Sequence, residues 1–133
     1  RLFRESPVNA IWEGSGNVQC LDVLRAMQKT PEVLQAFTDE VALARGGNAA
    51  LDRHLAALHK DFANPAELEF RARDLVDRMA LALQAALLVQ HAPSFVSDAF
   101  CASRLAGAGL RNYGALPAGT DCVAIIERAT PRT

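Results

Sequence analysis

Long apolar runs are missing from this sequence of 133 residues. A transmembrane helix needs about 18 or more consecutive apolar residues, and no such run occurs. The nearest approach, residues 79–89, is shorter and carries Gln84. Aromatic residues are scarce at 6%, which disfavours sheets, since strands favour aromatic and β-branched side chains. A surplus of one charge is also absent: 14 Lys and Arg stand against 15 Asp and Glu, a formal net charge of −1. A dedicated nucleic-acid module ordinarily shows a clear basic excess. Three cysteines, Cys20, Cys101 and Cys122, lie far apart without a CxxC pair, so neither a complete disulfide framework nor a zinc site can be read from them. A reducing, cytoplasmic setting fits them best. Neither an initiator Met nor a charged-then-apolar signal segment stands at the start, and the chain is expected to be a piece of a longer polypeptide.

What is present is a helix-forming sequence. Half the residues are apolar, with Ala and Leu prominent, and mean hydropathy is close to zero at +0.06. That is the composition of an ordinary globular domain. Gly14 to Asn17 read as a turn, and residues 18–28 follow with Val18, Leu21, Leu24 and Met27 at helical spacing. Thr30-Pro31 reads as the start of a helix reaching about Arg45, with Val33, Leu34, Phe37, Val41 and Ala44 as its stripe. Gly46-Gly47 ends it, and Asn48 opens the next, which carries Leu51, Leu55, Leu58 and Phe62. Asn64-Pro65-Ala66-Glu67 has the pattern of a cap, a first-turn proline and a capping-box acid. It predicts one long helix to His91, apolar nearly all round in its second half and therefore central. Ser94 is expected to cap a helix to about residue 106, and Thr120 or Asp121 a short last one with Cys122, Ile125 and Ile126 inward. The expected class is all-α, an antiparallel helical bundle with breaks near 30, 47, 63 and 93. Leu34, Phe37, Val41, Leu55, Leu75, Met79, Leu83, Leu87 and Phe100 are its expected core.

The most informative phrase is Arg4-Glu5-Ser6-Pro7-Val8-Asn9-Ala10-Ile11-Trp12-Glu13-Gly14-Ser15-Gly16-Asn17-Val18-Gln19. It resembles the acyl-CoA dehydrogenase pattern of an Arg-acid pair, a short apolar run, then Ile-aromatic-Glu-Gly-Thr-x-x-Ile-Gln. Its continuation Cys20-Leu21-Asp22-Val23-Leu24-Arg25 is similar to the AidB-type, alkylation-response branch. The close match covers about the first 28 residues. The resemblance implies that residues 1–29 end the C-terminal helical domain common to the family and that residues 30–133 form an additional helical domain. It implies FAD as cofactor, an acyl-CoA thioester as substrate and a homo-oligomer, a tetramer in the full-length protein.

By the same resemblance Glu13 is the base that removes the proton alpha to the thioester, while a hydride leaves the beta carbon for the flavin. A carboxylate can serve because desolvation by Ile11, Trp12 and an acyl chain raises its pKa. Trp12, Gly14, Ser15 and Asn17 fall at flavin-nucleotide positions, where Ser15 stands for a Thr and Asn17 for a Gln. Gly14 and Gly16 would let the backbone approach phosphate or ribose. Arg25 matches an Arg near the substrate channel of the AidB branch. Trp12 replaces the usual Tyr, and its larger ring would narrow the acyl cavity. Most of the flavin and acyl-CoA groups would lie outside these residues, so this piece alone is not expected to hold FAD or to catalyse.

Each residue also has a plainer reading. Without the surrounding phrase, Glu13 is an exposed acid in a turn before a helix. Arg25 is a solvated helix residue, or one paired with Asp22 at i−3. His54, His59 and His91 lack the spacing of a metal site, and none is expected. Arg71, Arg73 and Arg78 could face phosphate but are interleaved with Asp74 and Asp77, which favours a self-neutralised face. Residues 30–133 carry ten Lys/Arg against twelve Asp/Glu, so any DNA binding by the added helices is expected to be weak. The alternatives to a dehydrogenase are a DNA-protecting flavoprotein with little such activity, and an oligomerisation module.

Overall fold

The computed structural model describes residues 2–10, 16–64, 66–106 and 114–131. Among the described residues there are seven α-helices and no strand. They are α1 (Leu2–Glu5), α2 (Gly16–Lys29), α3 (Glu32–Ala42), α4 (Ala49–Phe62), α5 (Ala72–His91), α6 (Ser94–Arg104) and α7 (Cys122–Ala129), with a 3-10 turn over Ser6–Ala10. The all-α class read from composition and punctuation is the class observed.

Helix α5 is the axis of the fold. It packs against α2, α3, α4 and α6, as its nearly all-apolar second half predicts. Two core clusters line it. One joins Cys20 and Leu24 of α2 to Leu58, Ala72, Leu75 and Ala82. The other joins Val41, Ala44 and Leu51 to Ala85, Ala86 and Cys101. Of the residues expected in the core, Val41 and Leu75 are buried. Leu34, Phe37, Leu55, Met79, Leu83 and Phe100 are half-buried, and Leu87 is exposed at 39%. Alanines take the deepest places on α5, because small side chains let four helices approach one axis closely. Gly47 does the same in the turn before α4, where an added Cβ would lie 2.4 Å from Cγ1 of Val89. Gly46, beside it, takes a left-handed φ of +80°, which glycine adopts without steric cost.

Three local expectations are corrected. The long helix does not begin at Asn64: residues 66–71 form turns, and α5 starts at Ala72. Asn64 Oδ1 accepts the amide of Ala66 in a local turn, and Glu67 sits at φ 59°, out of helical register. The Arg71 guanidinium reaches back to Asp61 at 2.9 Å and to the Asn64 carbonyl at 3.4 Å, fastening this turn onto the end of α4. Thr30 and Ser94 are not side-chain caps: the cap positions are Pro31 and Pro93, and the first-turn amides go to backbone carbonyls, Val33 N–H to Thr30 O and Val96 N–H to Pro93 O. Side-chain caps occur at Asn48, which accepts from Ala50 and Leu51, and at Asp121, which accepts from Ala124. Lastly, α7 does not bury Cys122 and Ile126; both are exposed, and Ile125 is half-buried. A similar rotation holds in α2, where Cys20 and Leu24 face the core while Val18 and Leu21 remain outside.

The end of α4 is also tied by charge. Asp61 receives Arg78 Nη1 at 2.6 Å and Arg71 Nη1 at 2.9 Å, with its side chain 21% exposed. Arg78 also lies 3.5 Å from Asp74. Burial raises the Asp61 pKa, but hydrogen bonds from Arg78 and Arg71, with their positive charges, more than offset it and hold the carboxyl below its ordinary value of 3.8. A carboxyl lowered on folding stabilises the fold above its unfolded pKa, and the contribution is lost as pH falls through the folded value. Asp61→Asn is therefore expected to cost about 1–3 kcal/mol near neutral pH, because two guanidinium groups lose a charged acceptor and one of its two oxygens. Urea unfolding at a series of pH values should show that gap closing below about pH 4, the ordinary aspartate range. A gap that stays constant into acid would show that the charge of Asp61 contributes nothing.

Candidate functional site

Ile11, Trp12, Glu13, Gly14 and Ser15 lie outside the described residues. The described part of the candidate site begins at Gly16 and Asn17, the first residues of α2. Asn17 Oδ1 accepts a hydrogen bond of 2.9 Å from Nη1 of Arg73, a residue 56 positions away on α5. The same guanidinium lies over Gly16, where an added Cβ would stand 2.7 Å from Nη1. Gly16 is thus a place of close approach, although the approaching group is a side chain of this chain.

Arg25 is not brought to this end of α2. It is eight residues beyond Asn17, about 12 Å along a helix axis, and its Nη1 pairs with Asp22 Oδ1 at 2.5 Å. Both partners are well exposed, at 64% and 55%, so the pair contributes little to stability. Of the arginine group at the start of α5, Arg78 meets Asp74 as the sequence spacing suggests, at 3.5 Å, while Arg71 and Arg78 are both engaged at shorter distance by Asp61 of α4. Arg73 likewise reads, from sequence, only as part of a solvated face. No local signal could reveal the bonds to Asp61 and Asn17, because those partners come from other helices. His54 is a structural residue, with Nε2 positioned to donate to the Arg78 carbonyl at 2.9 Å.

A separate cleft of about 680 Å³ lies between α3 and α4, floored by Phe37, Val41, Leu55 and Phe62. The rings of Phe37 and Phe62 meet edge to face, with centroids 6.5 Å apart. None of Gly16, Asn17 or Arg25 lines this cleft. Among the cysteines, Cys101 is wholly buried, and desolvation, with the charge of Asp98, pushes its thiol up to about 11. Such a thiol stays protonated and unreactive at neutral pH. Among the described residues, no helix is long and apolar enough to cross a membrane.

No family model matches the chain. It is 35% identical over 101 residues to the acyl-CoA dehydrogenase-like protein AidB of Escherichia coli (strain K12). That match covers 76% of this chain, far more than the 28 residues of the phrase around Glu13. The chain belongs to the acyl-CoA dehydrogenase family, as a C-terminal fragment. It spans 18% of the length of AidB. Any stretch of 101 residues in a chain of 133 includes residues 33–101, so the helices that carry Asp61 and Arg73 share in the similarity.

Proposed function

We propose that this chain is the C-terminal helical part of an FAD-dependent, acyl-CoA dehydrogenase-like oxidoreductase. Glu13 would take the proton from the carbon alpha to an acyl-CoA thioester. The observation that carries this reading is the Ile11-Trp12-Glu13-Gly14-Ser15-Gly16-Asn17 phrase in a chain 35% identical to AidB. In this reading residues 1–29 close the helical domain common to the family and residues 30–133 are added to it. The full-length protein would be a cytoplasmic homo-oligomer, a tetramer. Apolar side chains left in solvent, including Phe70 at 89% and Val123 and Ile126 at 66%, are candidates for its further contacts.

The described residues at the start of α2 suit a nucleotide. With Asn17 Oδ1 accepting from Arg73, the amide presents its two N–H donors, and the guanidinium presents more. Donors of this kind match the oxygens of a phosphate or ribose. Trp12, Gly14, Ser15 and Asn17 are the residues assigned to hold FAD, which when bound would supply the hydride acceptor. In this reading Ile11 and Trp12 would exclude water from Glu13 and so keep its carboxylate basic enough to take the alpha proton. Arg25 is assigned to the substrate channel, and leaving its exposed pair with Asp22 for an acyl-CoA phosphate would cost little.

The test is the flavin spectrum of the full-length protein as acyl-CoAs of increasing chain length are added without oxygen. Loss of the visible flavin absorption is the expected result. Flavin that stays bound and oxidised with every thioester would overturn the dehydrogenase reading.

The DNA-protecting alternative gains little from charge. Arg71 and Arg78 share Asp61, and residues 30–133 carry more acidic than basic side chains. Fluorescence anisotropy with a labelled duplex is expected to give non-specific binding no tighter than about 10⁻⁴–10⁻⁶ M at physiological salt, weakening as salt rises. Nanomolar binding there would promote the alternative. An oligomerisation module, the remaining alternative, predicts self-association of the chain with neither flavin nor DNA.

A further inference from the structure

We infer that the cleft between α3 and α4 is a binding site for a single-chain alkyl carboxylate, separate from the Glu13 phrase and from the reaction assigned to it. Helices α3 and α4 both pack on α5, while their backbones make little contact with each other. The space left between them, about 680 Å³, is of the size that holds a small ligand. It is also elongated. Along α4 its lining runs from Asp52 to Phe62, ten residues apart and about 15 Å along a helix axis. Val41 at its base is buried, but Phe37, Leu55 and Phe62 are only half-buried, and Ala42 and Ala56 on its walls are exposed. Apolar surface therefore stays in contact with water along the whole groove, and a body that covers it gains by removing that surface from solvent.

Charge distinguishes the two ends. Arg45 and Asp52 stand where α3 turns into α4, and Asp52 Oδ1 accepts the Gly46 amide at 3.1 Å. His59 and Lys60 stand at the other end, near the Phe37–Phe62 ring pair, and no acid lines the cleft there. The next carboxylate along α4, Asp61, is held by Arg71 and Arg78. Among the described residues Lys60 has no ion pair, so its ammonium is open to an incoming anion. A long apolar floor with a cation at one end specifies a ligand with an unbranched apolar chain and one anionic head. The carboxylate meets Lys60, with His59 able to donate an N–H, and the chain lies over Leu55 and Val41 toward Arg45. A cationic head would meet Lys60 as a like charge. Arg45 and Asp52 close the far end to further methylenes.

The experiment titrates the full-length flavoprotein with hexanoate, octanoate, decanoate and dodecanoate in a calorimeter, with the flavin spectrum recorded alongside. Saturable binding is expected, tightening up to about fourfold for each methylene that enters the cleft and levelling off when the chain reaches Arg45 and Asp52. Decylamine should bind more weakly than decanoate, and Lys60→Glu should reverse that order. Lys60→Ala should weaken decanoate by about two- to fivefold, the worth of one exposed ion pair. Ala56→Phe, at an exposed helix position, fills the groove from its wall. It should abolish binding, together with the rise in thermal midpoint that decanoate gives the wild type. Flavin absorption should not change, since none of Gly16, Asn17 or Arg25 lines the cleft. Wild-type affinity in both Ala56→Phe and Lys60→Glu, or binding that comes only with a shift in flavin absorption, would put the carboxylate elsewhere and overturn the inference. Absence of binding at any chain length would overturn it too, and would mean that another part of the full-length protein covers the cleft. None of these outcomes depends on whether Glu13 is the base.

Discussion

Glu13→Gln in the full-length protein is expected to keep its flavin and to lose about 10²–10⁴-fold in the rate at which an acyl-CoA reduces it. The substitution preserves size and hydrogen bonding and removes only basicity. Flavin should remain bound because the nucleotide contacts are assigned to Trp12, Gly14, Ser15 and Asn17 rather than to this carboxylate. Stopped-flow absorption under anaerobic conditions reads both quantities, since bound oxidised flavin and its loss share one spectrum. A pH profile adds a second check. A wild-type rate that rises with pH through one ionisation, and a residual rate in the Glu13→Gln variant that does not, would identify the group being titrated. Unchanged reduction in the variant would remove the base assignment and with it the centre of the proposed chemistry.

Leu51→Ala is expected to lower stability by about 2–5 kcal/mol, since the removed atoms leave a cavity that the surroundings fill only partly. Leu51 is 0% exposed and lies in the cluster with Val41, Ala85, Ala86 and Cys101, at the crossing of α3, α4, α5 and α6. A domain of this size has a total stability of about 5–15 kcal/mol, so the loss takes a large share of it. Leu87→Ala is the matched comparison. At 39% exposure that side chain is expected to contribute less than about 1 kcal/mol. Denaturant midpoints with unchanged slopes would measure the two values. Equal losses would mean that α5 is rotated so as to place Leu87 in the core.

Legibility varies along the chain. Asn48 and Asp121 can be read as caps because a cap is a local device, completed within three residues. Asn64-Pro65-Ala66-Glu67 carries an equally good local signal and is misleading. There Arg71 closes onto Asp61 and the Asn64 carbonyl, a contact across a turn that no spacing rule contains. The core is legible in outline and misleading in detail. Periodicity ranks large residues above alanines, yet where several helices crowd one axis the smallest side chains go deepest. In the candidate site, the phrase around Glu13 can be recognised from residue identities alone. The bond of Arg73 to Asn17 cannot, since the two residues lie 56 positions apart.

The sequence by itself determined the class, six of the seven described helices in outline, the centrality of α5 and the family. These depend on composition, periodicity, breakers and a contiguous phrase, all of which are local. Only the tertiary structure decided which face of α2, α5 and α7 is buried, where α5 begins and what Arg71, Arg73 and Arg78 bond. A helical stripe spans a wide arc, and neighbours from distant parts of the chain select the angle within it. The same holds for charge: Asp61 and Asn17 became partners of these arginines because packing set α4 and α2 beside α5.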